Sequence, residues 1–354
     1  MSNFVQLHVL TSYPPSNLNR DDTGRPKTAL MGDVTRLRIS SQSQKRAWRT
    51  SDEFESALSG HIGTRTKMLG RTVRSDLLAS GVADKDARAW ARAIAEQFGK
   101  LKKASDSDPD SDLDIEQLAH FSPEERQSVR DLSVNCASRR SAPTADELKL
   151  LCVPRRAVDI AMFGRMLADS PAYNVEAAVQ VSHAITVHRS AVEDDYFTAV
   201  DDLNDGSADS GAAHIGERGY GAGLFYLYVC IDRALLTVNL GNDEVLVGRA
   251  LGALTHAITK VSPSGMQNSF ASRAYASFVL AEAGDQQPRS LAQAFLRPMR
   301  AFADRSMLDE AVSALKKCCE NMDRVYGPCA DTRYELNADQ GEGSLNDLVT
   351  FVRG

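Results

Sequence analysis

The side chains best suited to gripping a ligand are concentrated in the first fifty residues. Arg20, Arg25, Lys27, Arg36, Arg38, Lys45, Arg46 and Arg49 face only Asp21, Asp22 and Asp33, a local charge of +5. Ser40 or Ser41 suits the N-cap of a helix running to about Leu58. On that helix Gln42, Lys45 and Arg49 stand at i, i+3 and i+7 and share a face, with Arg46 beside them. Ala47, Ser51, Phe54 and Leu58 supply a second stripe to pack inward. The helix start offers unpaired backbone N–H groups next to Ser40 and Ser43, and the preceding loop adds Asn19, Arg20 and Lys27. Cations around a helix N-terminus hold phosphate without reading bases. A merely solvated basic helix face has the same periodicity.

Other chemistry finds less support. No G-x-S-x-G, Walker or Ser-His-Asp pattern occurs. Asp21 and Asp22 have the right type for a divalent ion, but spacing ties no third carboxylate to them. His183 and His188 are five apart, poor ligand spacing on strand or helix. The D-x-D run from Asp106 lacks the Gly and Glu of a calcium loop. None of the six cysteines forms C-x-x-C, so reduced thiols of a cytosolic protein are expected, with no metal and no cofactor. The string RGYGAGLF, Arg218 to Phe225, approaches an RNP1 motif, but Ala222 and Gly223 occupy its central aromatic and aliphatic positions. A glycine-rich hinge entering a core strand is the simpler reading. Tyr196 and Phe197, set among acids, suit either a base wedge or a loop anchor.

These residues need a scaffold. The chain has 354 residues, enough for about two domains. With 43% hydrophobic and 25% charged residues it is ordinary globular material, and no run approaches the length of a membrane-spanning helix. The amino terminus lacks a signal-peptide pattern. The overall charge of −6 divides into +5 over residues 1–50 and −11 beyond. Acid runs stand at 104–116 and 191–210, and most of the first reads as a solvated loop. Strands are expected at Phe4–Tyr13, Val34–Ile39, Val158–Met166, Val179–Val187, Leu224–Ile231 and Ser269–Leu280. Helices are expected around Asp84–Lys103, Ser122–Val134, 243–260, 289–303 and 306–323. Strands and helices without regular alternation make the fold class α+β.

Several blocks, in order, resemble the CasC family, the backbone subunit of type I-E CRISPR Cascade. They are FVQLHVL at 4–10, NLNRDD at 17–22, RLRISSQSQKRAWR at 36–49, VDIAMFGRM at 158–166, SHAITVH at 182–188, DYFTAVDDL at 195–203, AAHIG at 212–216 and LFYLY at 224–228. The resemblance implies a modified RNA-recognition (ferredoxin-like) palm with a helical fingers insertion and a protruding thumb hairpin. It divides the chain into palm with basic helix (1–59), fingers (60–150), palm strands (151–188), thumb (189–222), and remaining palm with C-terminal helices (223–354). It implies a non-catalytic subunit that stacks with copies of itself along crRNA, beside CasA, CasB, CasD and CasE types, and presents bases to target DNA. By motif, Ser40, Gln42, Ser43, Lys45, Arg46 and Arg49 resemble the crRNA-backbone grip, joined by Asn19, Arg20 and Lys27. Arg165 and Met166 would follow the RNA path, and Tyr196 and Phe197 would belong to the thumb. Gln44 stands where the family usually has an apolar residue, and Tyr196 where Trp is expected. Relatives that cut RNA with a loop aspartate make Asp21 or Asp22 the candidate for an alternative, catalytic subunit.

Overall fold

The computed structural model describes residues 3–199, 214–300 and 305–354. Along the chain the described elements are β1 (Phe4–Ser16), β2 (Thr28–Met31), β3 (Val34–Ile39), α1 (Ser41–Arg49), α2 (Asp52–Ala57), β4 (Thr64–Thr66), α3 (Leu69–Ala79) and α4 (Asp84–Glu96). Next come β5 (Ala119–Phe121), α5 (Pro123–Arg139), α6 (Val158–Phe163), β6 (Val179–Val181), β7 (Ala184–Thr186), β8 (Glu193–Ala199), β9 (His214–Asp232), α7 (Arg233–Asn239) and α8 (Glu244–Lys260). The last are α9 (Gln267–Phe270), β10 (Phe278–Gly284), α10 (Met307–Tyr326), β11 (Thr332–Asn337) and α11 (Leu345–Arg353). They fall into two compact units. Unit 1 comprises Met1–Phe54, Gln180–Arg233 and Leu251–Gly354, and unit 2 comprises Glu55–Val179 and Ala234–Ala250. The helical segment expected at 60–150 lies inside unit 2.

Unit 1 is built on an antiparallel sheet with the order β11-β10-β1-β9-β7-β3-β2. β1 is central, pairing Leu7 with Ala281 on one side and with Val229 on the other. Because both faces of β1 are covered, every residue from Val5 to Leu10 is buried, including polar Gln6 and His8. Leu10, Leu224, Tyr226, Phe278 and Leu280 form one face and pack under Leu291, Phe295 and the α10 residues Ala311, Val312 and Leu315. Polar bonds fasten that cover. His8 Nδ1 lies 2.9 Å from the Tyr226 hydroxyl and His8 Nε2 lies 3.1 Å from Glu282. An ionised Glu282 only accepts, so Nε2 carries the proton and Nδ1 accepts from tyrosine. Glu282 also receives Arg289 at 2.5 Å and Arg333 at 2.8 Å. Gln6 Oε1 accepts from Tyr228 Oη at 2.9 Å and from the Arg289 N–H at 2.7 Å.

Unit 2 packs α3, α4 and α5 around Val73, Leu77, Trp90, Ile94, Phe121, Val129 and Leu132. α5 opens with a capping box: Ser122 Oγ accepts from the Glu125 N–H, and Glu125 accepts from the Ser122 N–H at 2.9 Å. Buried Glu125 also meets Arg165 at 2.7 Å. The acid run at 104–116 is not the solvated loop expected from its charge. Arg71 binds Asp108 and Asp114, Arg74 binds Asp110, Arg88 bridges Asp110 and Asp112, and Arg92 joins Asp112. The partners come from helices whose periodicity places the arginines toward this segment, a match that local charge counting misses.

Several expected elements change type. Val158–Met166 is not a strand: Val158–Phe163 is helical, and Gly164, at φ +81°, ends the helix. A short apolar run does not separate these alternatives by period. Val179–Val187 is two short strands, interrupted where Ser182 Oγ accepts the Tyr228 N–H. In place of a helix at 289–303, the only helical turn among the described residues 289–300 is Ala292–Phe295. Strand structure expected from Ser269 begins only at Phe278, after the helical turn α9. The supposed hinge at Arg218–Phe225 is the middle of the uninterrupted strand β9. Its glycines serve close approach: a Cβ on Gly223 would stand 2.7 Å from Thr186 Cγ2 and 2.8 Å from His188 Nε2.

Two outcomes test this packing. Arg165→Met leaves Glu125 buried without its cation and should cost about 3–5 kcal/mol in urea unfolding; a loss under about 1 kcal/mol would contradict the buried pair. The second concerns pH. Burial lowers the His8 pKa below its ordinary value despite Glu282. For Glu282, burial pushes upward, but His8 and Arg289 outweigh it and hold the carboxyl well below the usual range. The unfolded chain therefore takes up protons first as pH falls, so stability is present above pH 6.5 and is lost below it, with a further loss below pH 4.5. Urea midpoints should drop between about pH 7.5 and 5.5, and His8→Gln should flatten that drop.

Candidate nucleic-acid interface

The grip begins with a hairpin loop whose shape is locally determined. Asp21 Oδ1 accepts from the Thr23 N–H (2.9 Å), the Thr23 hydroxyl (2.8 Å) and the Arg25 N–H (3.0 Å). The hydroxyl bond leads the effects that lower the Asp21 pKa. Arg20 bridges to Pro26, and the Lys27 N–H reaches the Asn19 carbonyl at 2.8 Å. Buried Asn17 ties this loop to the sheet by donating to the carbonyls of Gly24 and Gly219, both at 2.9 Å.

Asn19 links loop to helix. Its Oδ1 accepts the Ser40 N–H at 2.8 Å, while Ser40 Oγ accepts the Ser43 N–H at 3.3 Å. Ser40 is the N-cap, buried and engaged in holding the first turn of α1. The helix stops at Arg49 instead of reaching Leu58, because Ser51 Oγ bonds the Trp48 carbonyl and then caps Phe54 in α2. The inward face of α1 is Ser41, Gln44 and Trp48, not Ala47. Trp48 is fully buried and was absent from the expected stripe, although it lies at i+4 from Gln44 and i+7 from Ser41. That seating turns Gln42 and Arg46 out to solvent and leaves Ser43, Lys45 and Arg49 half-buried; Arg20 is exposed and Lys27 half-buried.

Two basic residues of the amino-terminal count leave the interface. Arg36 is fully buried and donates to the carbonyls of Thr186 (2.8 Å), Phe295 (2.9 Å) and Met31 (3.3 Å). Arg25 pairs with Asp194 of β8 at 2.7 Å. Two others join it. Arg38 Nη1 lies 3.1 Å from His183 Nδ1, and Asn19, Lys27 and Arg38 line one small cleft. Neither Arg38 nor His183 stood among the expected contacts. Their proximity comes from the pairing of Arg38 with Ile185, which strand periodicity within one segment does not reveal.

β8 pairs antiparallel with the first part of β9, from Glu193–Tyr220 to Ala199–His214, and residues 200–213 of the expected thumb lie outside the described residues. Tyr196 is 66% exposed. Phe197, on the opposite strand face, has the Arg218 guanidinium 4.3 Å from its ring centre, and a Cβ on facing Gly216 would stand 2.3 Å from its Cζ. The two aromatics therefore do not form one exposed wedge. In unit 2, Met166 is exposed, but Arg165 is buried among Glu125 and the carbonyls of Cys152 and Tyr173. Arg165 is thus a structural cation, not one presented along an RNA path. In the RNP1-like strand Phe225 is buried, and half-buried Tyr220 packs its ring 5.9 Å from that of Phe270.

Among the described residues no three His, Cys, Asp or Glu side chains group as a metal site, and no helix is long and apolar enough to cross a membrane. No curated protein matches the chain. Across 99% of its length it is similar to a chain of a CRISPR RNA-guided surveillance complex, pre-nicking, with 28% identity, a TM-score of 0.85 and all of that chain covered. A second CRISPR RNA-guided surveillance complex contains a chain of like fold, with 24% identity, a TM-score of 0.73, and coverage of 98% of this chain and 99% of that one. The CT1975-like protein family model matches residues 5–348, essentially the whole fold described above. The chain belongs to the CT1975-like protein family.

Proposed function

We propose that this chain is a non-catalytic backbone subunit of a type I-E CRISPR Cascade complex. Copies assemble along the crRNA spacer, hold its phosphates and display bases for pairing with target DNA, beside CasA-, CasB-, CasD- and CasE-type subunits in the cytoplasm. The observation that carries the reading is the joined loop and helix: Asn19 fixes the α1 start, Arg20 and Lys27 lie on the loop, and Gln42, Lys45, Arg46 and Arg49 run along α1 to its last turn. Such a surface binds backbone charge and leaves sequence to base pairing. The order β10-β1-β9-β7, with α1 between β1 and β7 and α8 between β9 and β10, supports the ferredoxin-like palm. β8 with the start of β9 supports the thumb, where exposed Tyr196 is the aromatic for displacing a base.

Replacing Lys45 and Arg49 together by Ala should weaken binding of all single-stranded guide sequences alike. The log-affinity against log-salt slope should flatten by about 0.7 for each phosphate that the variant no longer neutralises; an unchanged slope would remove α1 from the interface. The alternative is an RNA-cutting subunit using Asp21 and Asp22. Asp21 Oδ1 already holds its own turn, so Asp21→Ala is expected to loosen the loop and weaken RNA binding. Asp22→Ala should leave binding unchanged. Magnesium-dependent cleavage of bound RNA, abolished by the double substitution, would establish the alternative instead.

A further inference from the structure

Lys27, Arg38, Lys45 and His183 converge from four parts of unit 1: the loop after β1, strand β3, helix α1 and the turn between β6 and β7. Arg38 is anchored from behind, its Nε donating to the Thr28 carbonyl at 3.3 Å, and its Nη1 meets His183 Nδ1 at 3.1 Å. A guanidinium only donates, so Nδ1 accepts and the ring proton resides on Nε2. The exposed imidazole is therefore a neutral donor beside cations. The charged groups acting on it are Arg38, Lys27 and Lys45, all positive. Desolvation first, and then these three charges, lower its pKa from the ordinary histidine value.

We propose that Arg38 and His183 form a phosphate subsite for single-stranded RNA, continuous with the α1 grip, and that His183 takes up a proton when RNA binds. This rests on the RNA-backbone reading above. Arg38, Lys27 and Lys45 oppose a fourth positive charge on the ring. A phosphodiester oxygen accepting from Nε2–H offsets that field. A solvent proton then enters at Nδ1, Arg38 Nη1 is released from the ring, and it can donate to the same phosphate. The complex holds more protons than its separated parts, so affinity rises as pH falls.

The test is binding of a single-stranded RNA oligonucleotide by the full chain, across about pH 6 to 8 at constant salt. The native chain should bind roughly three- to fivefold more tightly at the lower pH, the size expected when about a quarter to a third of a proton is taken up on average across those two pH units. His183→Gln should abolish that dependence, whereas His61→Gln, which alters a residue of unit 2, should keep it. Histidine ring resonances supply a second readout: the His183 titration midpoint should rise on adding RNA. A His183→Gln profile parallel to the native one, or a midpoint that does not move, overturns the subsite while the Lys45/Arg49 salt slope still supports the backbone reading. Binding indifferent to Lys45, Arg49 and pH together overturns both.

Discussion

The need to neutralise one buried carboxylate organises unit 1. Glu282 sits on a strand with no solvent on either side, where an unpaired charge would be prohibitively unfavourable. Arg289, Arg333 and neutral His8 satisfy it, and each lies on a different segment. The ion therefore pins the chain before α10, strand β11 and the central strand β1 to β10. The apolar contacts of α10 then close one whole face of the sheet. On the face so covered, Tyr226 and Phe278 are buried.

Charge in this protein is informative only once it is paired. Of the eight amino-terminal bases, Arg36 serves three backbone carbonyls and Arg25 an aspartate on β8. In unit 2 the acid run that looked like a solvated block is matched by four arginines from α3 and α4. What remains on the loop and along α1 is a smaller cationic group than simple counting suggests, on a backbone held by Asn17, Asn19 and Ser40.

Much of this was legible in the residues. The period-two pattern of Phe4–Tyr13, the i, i+3, i+7 set on α1 and the helix expected at Ser122–Val134 are local signals, and the local structure follows them. The ordered family blocks point to a CRISPR surveillance complex, and the chain is similar across its length to a chain of such a complex. What was not legible depends on partners far along the chain. Arg165 reads as a surface cation until Glu125, forty residues earlier, is brought against it. Arg38 and His183 meet only through strand pairing across 145 residues. The break between α1 and α2 was local but ambiguous, since Ser51 suits both a helix interior and a cap.

The length of β9 has a bearing on how the chain tolerates change. One strand of nineteen residues pairs first with β8 and then with β1 and β7. Side chains alternate along it without interruption, so inserting or deleting a single residue near its middle would reverse the facing of everything on one side of the change. Either Tyr226 would leave the core, or the glycines beneath Phe197 and Thr186 would be replaced by larger neighbours. Length variation should thus be excluded from this strand, making it the ruler that keeps hairpin and sheet in step.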